Sequence, residues 1–312
     1  MRREILERIE RELGVPGLVE RLARRIQHAD LHSLLLELFR RRAAERTPAE
    51  LLADWSANRL VHASSADPRA LARFDAAAFA ALPDGFEALE LSPVCPLGTS
   101  SVLATVHQDK ALASIRSVEV LSDASNVLAL ECAARRRALL RANPRSTAAV
   151  QLAASHRHLR TQSFSGPLAF AHFRLFTLCS AGRDTREAPF AARALDTHLD
   201  FYARIAREFL GPEFAVRVAL SDLASAEPRE SWRRQLPGVE LGFDQTRTSG
   251  RGYYTELCFK IHARRGTGEW LELGDGGCVD WAAKLLSNAK ERLFISGISS
   301  ERICAISAPG PC

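Results

Sequence analysis

A chain of 312 residues, 46% hydrophobic and 25% charged, can bury one large core or two modest ones and is too apolar for a disordered segment. It has no run of eighteen apolar residues, so no membrane helix is predicted; Met1-Arg-Arg-Glu-Ile leads into a charged amphipathic segment rather than a signal sequence, and a cytoplasmic location is expected. The net charge of +5 admits an anionic partner such as a nucleotide or RNA without requiring one, and the seven scattered cysteines, with no C-x-x-C pair, indicate neither a disulfide framework nor a zinc site.

Residues 1 to 83 read as a helical region. Ile5, Leu6, Ile9 and Leu13 fall at helical spacing, Gly14 to Gly17 breaks the run, and Leu18 to Arg42 resumes it with Leu22, Ile26, Leu34, Leu35 and Leu38 on apolar positions. Thr47-Pro-Ala-Glu50 carries the side chains of a capping box, and Asp67-Pro68 opens another helix in the same manner. Arginine is dense here, at Arg21, Arg24 and Arg25 and again at Arg40 to Arg42. These make either an RNA-facing arm or the solvated edges of a helical bundle.

Residues 84 to 312 change character. Phe86 to Pro93 alternates as a strand does, Cys95 to Ser101 is turn-like and Val102 to Val106 extended. Val118 to Leu121 and Val127 to Glu131 are predicted strands around a turn at Ser122 to Asn126, followed by a helix over Cys132 to Arg141. His158 to Phe164, a turn at Ser165 to Ala169 and Phe170 to Leu178 form a predicted hairpin. Arg193 to Phe209 has the spacing of an amphipathic helix, Phe214 to Leu220 that of a strand, and Asp222 to Arg234 is predicted as loop and short helix. His156, His158 and His172 match the spacing of no metal-binding helix or finger, so no metal site is assigned to them.

The last third concentrates the chemistry. Ser249-Gly-Arg-Gly-Tyr-Tyr-Thr255 opens a predicted strand over Tyr253 to Ile261, Leu271 to Gly277 is a predicted glycine-rich turn, and Leu293 to Ile303 is an apolar strand running into Glu301 and Arg302. Small residues let a backbone approach a ligand closely, and a terminal guanidinium can hold phosphate oxygens bidentately. The order of these pieces resembles the end of the class II aminoacyl-tRNA synthetase core, above all the histidyl-tRNA synthetase group and its relative, the regulatory subunit of ATP phosphoribosyltransferase. The group's R-G-L-D-Y-Y-T, G-G-G-R-Y-D and G-L-E-R match Ser249 to Thr255, Asp275-Gly-Gly-Cys-Val-Asp280 and Ser299-Ser-Glu-Arg302. Upstream, Phe86 to Pro93 stands where the first motif would, Leu128-Ala-Leu-Glu-Cys-Ala133 where L-R-P-E-x-T would, and Arg160 and Gln162 where the second motif has arginine and glutamate.

The resemblance implies an α+β fold, a class II synthetase-like antiparallel sheet flanked by helices, with ATP and Mg2+ bound on the sheet. Arg160, Phe173, Glu301 and Arg302 would bind the nucleotide, with Arg160 on the α-phosphate and Arg302 on the terminal phosphate as the catalytic pair. Glu131, Gln162, Arg251, Tyr253 and Tyr254 would face a small carboxylate or amino acid, Glu131 having the alternative role of a helix N-terminal carboxylate. Ala133 replaces the threonine that receives the substrate ammonium, Cys278 an arginine, and Ser249 the arginine of histidine activation, which Arg247 or Arg251 could replace; histidine is therefore not the expected substrate. Ten residues follow Arg302, so an anticodon-binding domain is not expected, and the acceptor could be RNA or protein. A homodimer is expected through the first-motif segment. The alternatives are a non-catalytic subunit partnering an ATP phosphoribosyltransferase catalytic subunit, and an RNA-binding module built on the arginine-rich arm.

Overall fold

The computed structural model describes residues 2–162, 170–186, 188–225, 232 and 235–307. The chain divides into two compact units, Met1–His62 with Ala113–Val118, and Ala63–Leu112 with Glu119–Cys312. The first unit holds α1 (Arg2–Leu13), α2 (Leu18–Arg24), α3 (His28–Ala44) and α4 (Pro48–Ala57). Thr47 and Glu50 form both halves of the capping box at the start of α4. None of α2, α3 and α4 buries a residue. Their arginines pair one turn away on solvated faces, Arg24 with Glu20 and both Arg40 and Arg41 with Glu37, as solvated bundle edges would. The Nε2 atoms of His28 and His32 tie α3 to the second segment of this unit, 3.0 and 2.7 Å from Ser117 Oγ.

The remaining elements are α5 (Pro68–Ala80), β1 (Phe86–Ala88), β2 (Val94–Pro96), α6 (Thr99–Val102), β3 (Val118–Val120), α7 (Ala124–Ala142), β4 (Val150–Leu159), β5 (His172–Gly182), α8 (Phe190–Phe209), β6 (Phe214–Asp222), β7 (Glu240–Phe243), β8 (Leu257–Arg265), β9 (Leu271–Val279), α9 (Trp281–Leu286), β10 (Arg292–Ser299) and α10 (Ser300–Ser307). Eight strands make one sheet in the order β1-β4-β5-β10-β9-β8-β6-β7. Its two outer pairs, β1 with β4 and β6 with β7, are parallel, and the rest are antiparallel. Side chains alternate between its faces. Phe176, Leu178, Val218, Leu220, Phe259 and Ile261 pack into a core with Phe74 of α5 and the apolar stripe of α8. Leu152, Ala154, Cys179, Cys258, Leu293 and Ile295 form the opposite core with Leu128 and Cys132 of α7 and Trp281 of α9. Beyond α7 and α9 that second face is open, and the cleft lies there.

Four local expectations are corrected. Val127 to Glu131 is helix, the first turns of α7, because Asp123 caps Ser125 N at 3.0 Å and Ala124 N donates to His158 Nε2 at 2.8 Å. Leu128, Ala129, Cys132, Ala133 and Arg136 are its buried stripe; a four-residue apolar run such as Val127 to Leu130 cannot tell helix from strand by itself. Leu271 to Gly277 is the strand β9, not a turn. Its glycines are set by crowding: a Cβ on Gly274 would lie 2.2 Å from the Gly297 oxygen, on Gly276 2.4 Å from Ser296 Cβ, and on Gly277 2.3 Å from the Leu257 oxygen.

Thr99 to Val102 is a short helix, and Val102 to Val106 forms no strand, because the buried Glu119 carboxylate accepts from the amides of Gly98 at 3.0 Å and Ser100 at 2.8 Å. The strand predicted from Tyr253 begins at Leu257: Gly250, at φ 81°, closes a turn in which Tyr253 N and Tyr254 N both donate to its oxygen. The predicted turn at Ser165 to Ala169 lies outside the described residues, as does most of Asp222 to Arg234; within it, Trp232 Nε1 donates to Asp222 Oδ2 at 2.9 Å.

Candidate functional site

The cleft has a volume of about 760 Å³, within the range of small-molecule sites. Strands β5, β10, β9 and β8 floor it, the start of α7 and the turn before β8 wall it, and both Arg160 and Arg302 line it. Arg160 follows β4 directly. Its Nε donates to the Ser122 oxygen at 3.2 Å, its guanidinium carbon lies 5.0 Å from the centroid of Phe173, and its nearest paired carboxylate, Asp123, is 3.4 Å away. Arg302 enters from α10, with Nη1 donating to the Glu272 main-chain oxygen at 2.7 Å. Lys260 pairs with the Glu272 side chain at 2.6 Å. Among the described lining residues five cations, Lys110, Arg160, Arg247, Lys260 and Arg302, face three carboxylates, Asp123, Glu272 and Asp275, so the cleft favours an anionic ligand.

Of the other residues singled out from sequence, Phe173, Gln162, Tyr253 and Tyr254 line this same cavity. Tyr253 and Tyr254 lie in the turn before β8; their rings meet edge to face at 4.8 Å and both reach the cleft. Burial raises both phenols well above their ordinary pKa, so each hydroxyl stays protonated and available as a donor.

Three assignments are corrected. Glu131 lies on α7 away from the cleft, paired with Arg135 at 2.7 Å. Glu301 points beneath the cleft, ion-paired with Arg157 at 2.7 Å and accepting from Ser64 Oγ at 3.1 Å, because the residue before Arg302 on a helix faces another direction. Arg251 is exposed and outside the cleft, its Nε on the Arg247 oxygen at 3.2 Å. Arg247 is the buried arginine of the two and lines the cavity, 5.6 Å from the Tyr254 ring centroid.

Sequence reasoning missed Asp123, Ser125 and Asp275. The first two had a signal: the acid-x-hydroxyl order sought at Glu131 to Ala133 occurs eight residues earlier as Asp123-Ala-Ser125, at the helix start, with Ser125 Oγ donating to Asp123 Oδ1 at 2.8 Å. His158 supports that start through its bond to Ala124 N, and burial lowers its pKa to about 3, which keeps Nε2 free to accept.

Among the described residues no group of three or more His, Cys, Asp or Glu side chains could hold a metal ion by themselves. An Mg2+ would have to be held by one or two carboxylates together with ligand phosphates and water, and the carboxylates that line the cleft are Asp123, Glu272 and Asp275, of which Glu272 is paired with Lys260 at 2.6 Å. No described helix is long and apolar enough to cross a membrane.

No family model and no curated protein matches the sequence. Solved structures do match the fold. An ATP phosphoribosyltransferase regulatory subunit/histidyl-tRNA synthetase from Bacillus halodurans superposes with a TM-score of 0.58 at 12% identity, over 79% of this chain and 82% of that one. A histidine–tRNA ligase subunit from Alicyclobacillus acidocaldarius gives 0.56 at 10% identity, over 78% and 95%. Histidyl-tRNA synthetase from S. aureus gives 0.53 at 12% identity, over 77% of this chain, which spans 64% of that enzyme's length. The chain thus has a class II synthetase-like fold, a mostly antiparallel sheet flanked by helices, of the kind found in histidyl-tRNA synthetase and the ATP phosphoribosyltransferase regulatory subunit.

Proposed function

We propose that the cleft binds ATP and activates a small carboxylate, an amino acid other than histidine, as its adenylate. The observation that carries this reading is the presence of Arg160 and Arg302, remote in sequence, on one cavity whose wall is net cationic. Arg160 neutralises charge at the α-phosphate and Arg302 at the terminal phosphate. The substrate carboxylate oxygen bonds to the α-phosphorus while the bond to the pyrophosphate oxygen breaks, and pyrophosphate leaves with that electron pair. Fixed guanidinium groups serve such a step by positioning and by neutralising the charge that builds on the phosphoryl oxygens. Mg2+, when bound at the cleft carboxylates, adds to that neutralisation.

The amino-acid half of the cleft is rebuilt rather than lost. Asp123 and Ser125, on the cleft wall, would receive the α-ammonium, and Arg247 supplies a buried guanidinium although Ser249 lacks one. Exposed Val94, Leu97 and Val102 follow Phe86 to Pro93, the segment expected to form a homodimer contact. The test is pyrophosphate exchange over all the amino acids together with an ATP titration. Exchange with at least one of them supports the reading, and neither exchange nor nucleotide binding removes it.

A further inference from the structure

Strand β9 crosses the cleft as Gly274-Asp275-Gly276-Gly277, and a Cβ at any of the three glycines would overlap neighbouring backbone or side chain. Asp275 is thus the one position of this stretch that carries a side chain, and it lines the cavity with 45% of that side chain exposed. Its ion pair is long: Arg247 Nη2 is 3.8 Å away, beyond hydrogen-bond range, with Arg247 Nε on the Ser249 oxygen at 2.9 Å, and Lys260, opposite it on β8, is paired with Glu272 at 2.6 Å. Tyr254 lines the cavity beside it, and Asp123 and Glu272 both act on it as like charges.

A half-exposed carboxylate on the cleft floor, with one long ion pair and two like charges acting on it, is stabilised by a ligand cation. Two further polar groups on the same cavity wall are unpartnered. Asn126 is 2% exposed and its Oδ1 accepts no hydrogen bond; Thr177 is 1% exposed and its Oγ1 has none either. Asp123 and Ser125 account for one ammonium at the start of α7. Asp275, on a different element, is left for a second.

We propose that Asp275 is the specificity-determining residue of the cleft and receives a cationic side chain, so that the activated carboxylate belongs to a basic amino acid carrying a side-chain amine or guanidine. The proposal rests on the adenylation reading above. It is tested by direct binding, which does not depend on catalysis: calorimetric titration of the full chain with L-arginine against its neutral isostere L-citrulline, and with L-lysine against L-norleucine, each with and without a non-hydrolysable ATP analogue. At least one cationic ligand should bind about 30-fold or more tighter than its neutral counterpart, and Asp275→Asn should erase that preference. Equal binding of both members of each pair overturns the proposal, and so does a preference that survives in Asp275→Asn. If the nucleotide binds and the cationic preference is missing, this inference alone fails; if the preference is present and no nucleotide binds, the adenylation reading fails. The wild-type comparison decides the matter even where the variant does not fold.

Discussion

The Arg160 guanidinium carbon stands 5.0 Å from the Phe173 ring centroid, held by the Ser122 main-chain oxygen at 3.2 Å and more loosely by Asp123 Oδ2 at 3.4 Å. An arginine fixed in this way keeps charge to spare for a phosphate. Arg160→Ala and Arg302→Ala should each weaken ATP binding by about 2 to 5 kcal/mol, roughly 30-fold or more, as the loss of one partner of an enclosed charge contact does. Lysine at either position should recover only part of this, because it keeps the charge without the planar fork. Calorimetric titration with ATP and Mg2+ checks both.

Glu301 separates a structural role from a ligand role. It is 1% exposed and holds the start of α10 through Arg157 and Ser64. Glu301→Ala removes the Arg157 ion pair and the Ser64 bond, although Arg157 is 34% exposed and keeps His172 at 2.9 Å, and should lower stability by about 1 to 2 kcal/mol, read by denaturant unfolding. ATP affinity should fall less than in Arg302→Ala.

Two buried histidines predict the pH response of stability. His158 bonds Ala124 N, and His198 sits between Ser180 Oγ at 2.9 Å and Ser296 Oγ at 2.7 Å; burial lowers each pKa from 6.5 to about 3. A depressed pKa means that the unfolded chain binds the proton first. The stabilisation is therefore complete above pH 6.5 and is lost as pH falls from there toward 3, by at most about 1.4 kcal/mol per pH unit for each histidine. Unfolding curves at pH 7.5, 6 and 5 measure the slope, and His198→Gln should flatten it.

Gly276→Ala places a methyl group 2.4 Å from Ser296 Cβ and 2.7 Å from the Ile295 oxygen, with backbone on one side and no room to yield. Overpacking of this kind costs about 1 to 3 kcal/mol. A fall in melting temperature without loss of the sheet's circular dichroism is the expected result.

Sequence made the order of the elements legible, and with it Arg160 and Arg302, because strands separated by glycines and ending in arginine carry a positional pattern that survives substitution. It misplaced the acidic side of the cleft. Val127 to Leu130 is four consecutive apolar residues, equally suited to a strand or to a helix buried on one side, and reading it as a strand drew attention to Glu131 and away from Asp123. Asp275 was hidden among glycines that resemble a turn; their true cause, the close approach of Gly297, Ser296 and Leu257 across the sheet, is a tertiary fact with no local signal. Arg247 and Arg251 could be told apart only once the turn at Gly250 was known to place one inside and the other out.

The most direct measurement is a crystal structure of the chain soaked with ATP and Mg2+. The triphosphate should lie on the face formed by β5, β10 and β9, with Arg160 on the α-phosphate oxygens and Arg302 at the terminal phosphate. Nucleotide bound elsewhere, or in this cleft with both guanidinium groups left on the Ser122 and Glu272 oxygens and touching no phosphate, would contradict the account.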